Sequence, residues 1–177
     1  NWIIMNNNLN KVLIATGGTG GHIFPAYGLA KHFVEKKINV ELVSDQRGIK
    51  YLNKFNDIKI TQINTSSIFN KNLIQKIIAL LIITYSILRS LIFLYKNKPD
   101  LVFGMGGYSS FPICIAAKFL NIPFIIYENN LHIGRANKFL LPFAVKLFVA
   151  RKELDGVTKS YKEKIFEVGN IIRKEIL

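Results

Sequence analysis

The chain has 177 residues, half of them hydrophobic and only 20% charged, which is enough for one sizeable core and too apolar for a disordered tail. Lys and Arg number 24 against 11 Asp and Glu, a net charge of +13, so an anionic partner is expected: a phosphate, an acidic lipid surface or a nucleic acid. Cys114 is the single cysteine, which excludes an intrachain disulfide and a thiolate cluster built from this chain alone, and fits a reducing compartment.

Residues 1–10 read as an amino-terminal extension without the basic and then apolar regions of an export signal, with Met5 as the native start. Beyond them, short apolar runs at 11–16, 40–44, 58–63, 101–104, 124–127, 146–149 and 165–168 read as strands. Helical patterns lie between them at 24–37, 71–98, 110–120 and 134–141. Strands apolar on both faces and separated by helices predict an α/β fold, a doubly wound parallel sheet over residues 11–168. Such sheets bind ligands at the carboxyl ends of their strands. Residues 169–177 start a further element, so the chain reads as part of a larger arrangement.

The first strand runs into Gly17-Gly18-Thr19-Gly20-Gly21-His22 before Phe24-Pro25 opens a helix. Four glycines in five positions free the backbone to bring N–H groups against a phosphate, and a helix start adds partial positive charge. From Gly18, a G-x-G-x-x-G pattern would need glycine where Ile23 stands, and no G-x-x-x-x-G-K-[ST] occurs, which argues against a dinucleotide site or a triphosphate loop. A second turn, Gly104-Met105-Gly106-Gly107-Tyr108, is followed by Ser109-Ser110 as the expected helix cap and Pro112 in the first turn. Two glycine turns at strand ends of one sheet suit a diphosphate better than a monophosphate. A third strand ends in Tyr127-Glu128-Asn129-Asn130, polar groups expected to face a ligand.

His22 stands where the first turn meets its helix, and a neutral imidazole there can take a proton from an attacking hydroxyl; the alternative is a residue that shapes the loop. His32 and His132 have no partner at metal spacing and read as surface residues. No Asp-x-Asp is present to hold a divalent cation on a diphosphate, so the expected chemistry is metal-independent and needs no cofactor. There is no G-x-S-x-G either.

From 58 to 99 no acidic residue occurs. The helix at 71–98 has at most 12 consecutive uncharged residues, 77 to 88, fewer than the roughly 20 of a membrane span. Projected at 100° per residue, Lys71, Asn72, Gln75, Lys76, Ser86, Arg89, Ser90 and Asn97 share one stripe, and the wide apolar face opposite is expected to meet the core. Ile82, Ile83 and Phe93 fall on the polar stripe. Together with Lys76 and Arg89 they form an expected docking surface for anionic headgroups, the rival being an interface with another domain or protomer. Nucleic acid is not expected, because no aromatic and basic alternation is present.

The two glycine motifs, Glu128-Asn129-Asn130, and Val168-Gly169-Asn170 with Arg173 resemble, in this order, the amino-terminal half of the GT-B family of peptidoglycan N-acetylglucosaminyltransferases. The resemblance covers about residues 11–177. It implies a Rossmann-like, acceptor-binding domain, with 169–177 beginning the linker to an absent donor-binding domain. It further implies inverting transfer of N-acetylglucosamine from UDP-N-acetylglucosamine to undecaprenyl-diphosphate-linked muramyl-pentapeptide, by a peripheral enzyme on the cytoplasmic face of the plasma membrane. By motif, Gly17, Gly18, Gly104, Gly106, Gly107 and Tyr108 would cradle the acceptor diphosphate, Thr19, Gly20, Gly21, Asn130 and Arg173 would touch the donor, Glu128 would border the sugar pocket, and His22 would be the base. Tyr127 and Asn129 stand where His and Gln are usual, and Ile171 replaces the usual Pro. An isolated chain of this kind is expected to bind lipid diphosphate without turning over; the alternative is a non-catalytic, membrane-recruiting subunit of a split glycosyltransferase.

Overall fold

A computed structural model describes residues 9–18, 20–53, 55, 57–63 and 72–171. The expectations placed on Met5, Thr19, Lys71 and Arg173 lie outside the described residues.

The elements are β1 (Lys11–Thr16), α1 (Gly20–Glu35), β2 (Asn39–Ser44), α2 (Gln46–Leu52), β3 (Lys59–Gln62), α3 (Leu73–Asn97), β4 (Leu101–Gly104), α4 (Gly107–Phe119), β5 (Phe124–Glu128), α5 (Arg135–Leu140), β6 (Lys146–Val149) and β7 (Ile165–Glu167), with a 3-10 turn at Lys159–Lys164 before β7. The seven strands form one sheet in the order β3-β2-β1-β4-β5-β6-β7, every pairing parallel. The chain winds outward from β1 to β3, returns to β4 beside β1, then winds out the other way. That reversal makes the gap past β1 and β4 the topological switch point, where an open α/β sheet leaves a crevice. Ala15 pairs with Gly104, so both glycine turns leave the sheet at the same level.

Burial follows the doubly wound expectation. Val12 and Ile14 pack with Ile23, Ala26 and Ala30 of α1 on one face, while Leu13 and Ala15 pack with Ile113, Cys114 and Ala117 of α4 on the other. The strand bounds agree with the sequence reading to within a residue or so, and the starts of the helices that follow the two glycine turns do not. Helix α1 begins at Gly20 rather than at Phe24, because glycines tolerate the first turn and Pro25 costs only one interior N–H. Helix α4 begins at Gly107 behind Gly106 at φ +86; Ser110, expected near the cap, is buried and donates back to the carbonyls of Gly106 and Gly107. Helix α2 went unread in the sequence. Its cap is Asp45, which accepts the Gly48 N–H at 2.8 Å.

Helix α3 is turned over relative to expectation. Its fully buried side is Ala79, Ser86, Ser90 and Leu94, within the stripe read as polar and outward. Ile82, Ile83 and Phe93, expected on the outside, are half-buried, and Phe93 packs against the core. The large apolar side chains of the opposite face, Leu73, Ile74, Ile77, Leu81, Leu88 and Ile92 among them, are exposed. Self-satisfaction by serine explains the inversion. Ser86 Oγ donates to Ile82 O at 2.7 Å and Ser90 Oγ to Ser86 O at 2.6 Å, so neither hydroxyl needs water. Their small size then lets α3 approach the layer beneath it.

With 25 residues, 18 consecutive ones of which have a mean hydropathy of 2.4, α3 is long and apolar enough to cross a membrane by length and composition, contrary to the count of uncharged residues. Topology argues against a crossing. It joins β3 to β4, which lie in one sheet, and a single crossing would leave them on opposite sides of a bilayer.

Candidate functional site

The crevice past β1 and β4 is built from glycine backbones and one imidazole. His22, half-buried in the first turn of α1, lies against the second glycine turn. A Cβ on Gly106 would stand 3.0 Å from its Cε1 and 3.2 Å from its Nδ1, and one on Gly107 3.7 Å from its Cδ2. Gly106 and Gly107 also hold φ of +86 and +74, so only glycine lets this backbone run beside the ring. The strand ends are cross-linked as well: Met105 N–H donates to Ala15 O at 2.8 Å, and Thr16 Oγ1 to His22 O at 2.9 Å. The first turns of α1 and α4 thus open on a common space, each bringing helix-end N–H groups that have no partner within their own helix.

The glycines expected in the diphosphate cradle differ in what surrounds them. Gly104 is buried in β4, where a Cβ would stand 2.7 Å from Cys114 Sγ; it lets α4 close on the sheet. Gly17 is buried, and a Cβ there would run into Ser109 and stand 2.8 Å from Asp45 Oδ1. Gly18 N–H is taken, donating to Asp45 Oδ1 at 3.1 Å. Gly106 is buried against His22, while Gly107 and Tyr108 on one side and Gly20, Gly21 and His22 on the other keep some exposure. Cys114 is fully buried, which pushes its thiol well above the ordinary range and leaves it inert.

Asp45 is the residue the sequence reading missed. It follows the apolar run of β2 as Glu128 ends that of β5, and that placement at a strand end was the available signal. Burial alone would raise its pKa, but the N–H groups of Gly18 and Gly48 and the Arg47 side chain outweigh this and hold the carboxyl below its ordinary 3.8. Arg47 donates from Nε at 3.1 Å and Nη2 at 3.0 Å to Asp45 Oδ2.

At the end of β5, Glu128 is buried and occupied by its own loop. Oε1 accepts from Asn130 N (3.1 Å) and Nδ2 (2.8 Å); Oε2 accepts from Gly134 N (2.8 Å) and Asn137 Nδ2 (3.0 Å). All four of these donors belong to the segment that follows β5, so the carboxylate shapes the loop that carries Asn130. Asn137, also missed, ties α5 to Tyr127 O at 3.0 Å as well. The Tyr127 hydroxyl lies 3.3 Å from Gly169 O and accepts Ile171 N–H at 3.4 Å, so the segment after β7 is held to the strand end. His132 is exposed, 3.6 Å from Asp155, and His32 is exposed on α1. Among the described residues no cluster of three His, Cys, Asp or Glu side chains is placed to hold a metal ion.

The sheet is doubly wound and carries paired glycine turns at its switch point, the place where open α/β sheets take up their ligands. Residues 12–149 match the glycosyltransferase family 28 N-terminal domain. The chain belongs to that family, and with it to the GT-B glycosyltransferases. A relative from Pelagibacter ubique, named UDP-N-acetylglucosamine--N-acetylmuramyl-(pentapeptide) pyrophosphoryl-undecaprenol N-acetylglucosamine transferase, is 37% identical over 165 residues, covering 93% of this chain and 45% of its own. One of the same name from Francisella tularensis subsp. tularensis is 39% identical over 171 residues, covering 94% and 46%. The crystal structure of Acinetobacter baumannii MurG superposes with a TM-score of 0.75 at 28% identity, over 89% of this chain and 45% of that one. The chain spans less than half the length of these relatives.

Proposed function

We propose that residues 11–168 are the acceptor-binding domain of an inverting glycosyltransferase, with 169–177 leading toward a donor-binding domain. The reaction is transfer of N-acetylglucosamine from UDP-N-acetylglucosamine to undecaprenyl-diphosphate-linked muramyl-pentapeptide. The observation that carries this reading is the seating of His22 between two glycine turns at the switch point, in a chain of this family. The acceptor hydroxyl attacks the anomeric carbon opposite UDP; the new C–O bond forms as the old one breaks, its electron pair leaves with UDP, and the hydroxyl proton passes to the His22 imidazole. Helix-end amides at Gly107 and Tyr108 offset the acceptor diphosphate's charge, and Asn130, presented by Glu128, faces the donor sugar.

The exposed apolar face of α3 supports docking on an anionic membrane, where a lipid-linked acceptor resides. Leu73, Ile77, Leu81 and Leu88 supply the apolar contact, with Lys76 and Arg89 exposed on the same helix. The reading places the enzyme peripherally, on the cytoplasmic face.

Joined to the carboxyl-terminal half of the Francisella relative, the chain transfers the sugar to a lipid-linked muramyl-pentapeptide, and alone it does not. His22→Ala in the joined protein lowers kcat by about 10² to 10⁴ with acceptor KM little changed. Turnover by the chain alone at the joined protein's rate, or a near-normal rate for His22→Ala, overturns the reading.

A further inference from the structure

Resting on that reading, we propose that Arg47 is a further contact for the diphosphate received at the glycine turns. Its Nη2 stands 3.7 Å from where a Cβ on Gly18 would be, so the guanidinium lies over the first turn. Nε and Nη2 both donate to Asp45 Oδ2, which fixes its pose, while Nη1 has no hydrogen bond among the described residues. The pair is unequally exposed, 66% for the Arg47 side chain and 6% for Asp45. Negative charge is therefore hidden behind Gly17 and Gly18, and positive charge faces outward beside Gly18 of the first turn.

Stability does not explain this arrangement. Asp45 already accepts two backbone N–H groups, and an ion pair with one partner in water adds little. A planar guanidinium with donors left over and its rotamer held suits a phosphoryl group, which accepts paired N–H bonds. The ligand class is a diphosphate ester, whether nucleotide sugar or lipid-linked sugar, since both carry the same group.

The test is calorimetric titration of the chain with inorganic pyrophosphate, UDP-N-acetylglucosamine and a short-chain prenyl diphosphate. Wild type is compared with Arg47→Gln, Arg47→Lys and, as a charge control on the same helix, Lys50→Gln. The expected result is pyrophosphate binding weakened about tenfold or more by Arg47→Gln and by less in Arg47→Lys, with Lys50→Gln within about twofold of wild type. The organic diphosphate whose binding falls in parallel identifies the ligand's source. Hydrogen exchange at the Gly18 amide reports whether the turn stays intact; if Arg47→Gln disturbs it, Arg47→Lys, which keeps the charge on Asp45, carries the comparison. Pyrophosphate binding unchanged in Arg47→Gln with the turn intact, or lost equally in Lys50→Gln, overturns the Arg47 assignment and leaves the glycine-turn reading standing. Failure of wild type to bind any diphosphate overturns both.

Discussion

At the carboxyl edge of the sheet, Asp45 and Glu128 are buried with both oxygens of each carboxylate accepting hydrogen bonds, whereas along α3, Leu73, Ile74, Leu81 and Tyr95 are all more than half exposed. Polarity alone would assign these places the other way round. A carboxylate enters the interior when local N–H groups meet it with good geometry, since the cost of burial is the cost of unmade hydrogen bonds. An apolar side chain stays outside when the helix it belongs to has a better-fitting side to bury. Ser86 and Ser90 provide that side, being small and bonded to their own helix. The two carboxylates are thus satisfied within the chain, and the outward face of α3 is left for a surface beyond it.

The strongest way to break this contrast is to empty the edge. Glu128→Ala leaves one hydrogen of the Asn137 amide and the Gly134 N–H without their acceptor and costs about 3 kcal/mol or more in urea unfolding of the chain; a loss under about 1 kcal/mol would show that the loop does not depend on the carboxylate. Next in size is the α3 seam. Ser90→Leu forces a large side chain where no surface is exposed and costs about 1–3 kcal/mol, although by hydropathy it improves the helix; a gain in stability would restore the expected orientation.

Asp45 gives a smaller, pH-dependent effect. A carboxyl held below its ordinary 3.8 contributes stability above that pH and loses it as pH falls through the folded-state pKa. Urea midpoints followed from pH 6 downward therefore fall more steeply in wild type than in Asp45→Asn, and parallel curves would remove Asp45 as the tether of the first turn. The smallest change in stability is expected on the outward face. Ile77→Ser, Leu81→Ser and Leu88→Ser together shift stability by under about 0.5 kcal/mol per site, yet lower sedimentation with anionic vesicles more than tenfold. The matching triple exchange of Ile82, Ile83 and Phe93 instead destabilises the fold; vesicle binding lost with no change in stability would return those three to the surface.

Much of the candidate site was legible because glycine spacing and strand-end position are local facts. The runs ending at Gly17 and Gly104 announce turns, and strands apolar on both faces call for a sheet covered on each side. Which glycines are held by packing or by a distant carboxylate was not legible. Gly104 answers to Cys114 and Gly18 to Asp45, partners 10 and 27 residues away in sequence, and no local pattern distinguishes a packing glycine from a binding one.

The sequence by itself determined the alternation of strands and helices, the two glycine turns and the family, since each depends on residues adjacent in the chain. Tertiary structure alone decided that β4 returns beside β1 to bring those turns against His22, that Glu128 serves its own loop, and that α3 buries its serines. Each of those outcomes turns on which distant groups fill a hydrogen bond or a gap, and such a competition is settled only when the layers close on one another.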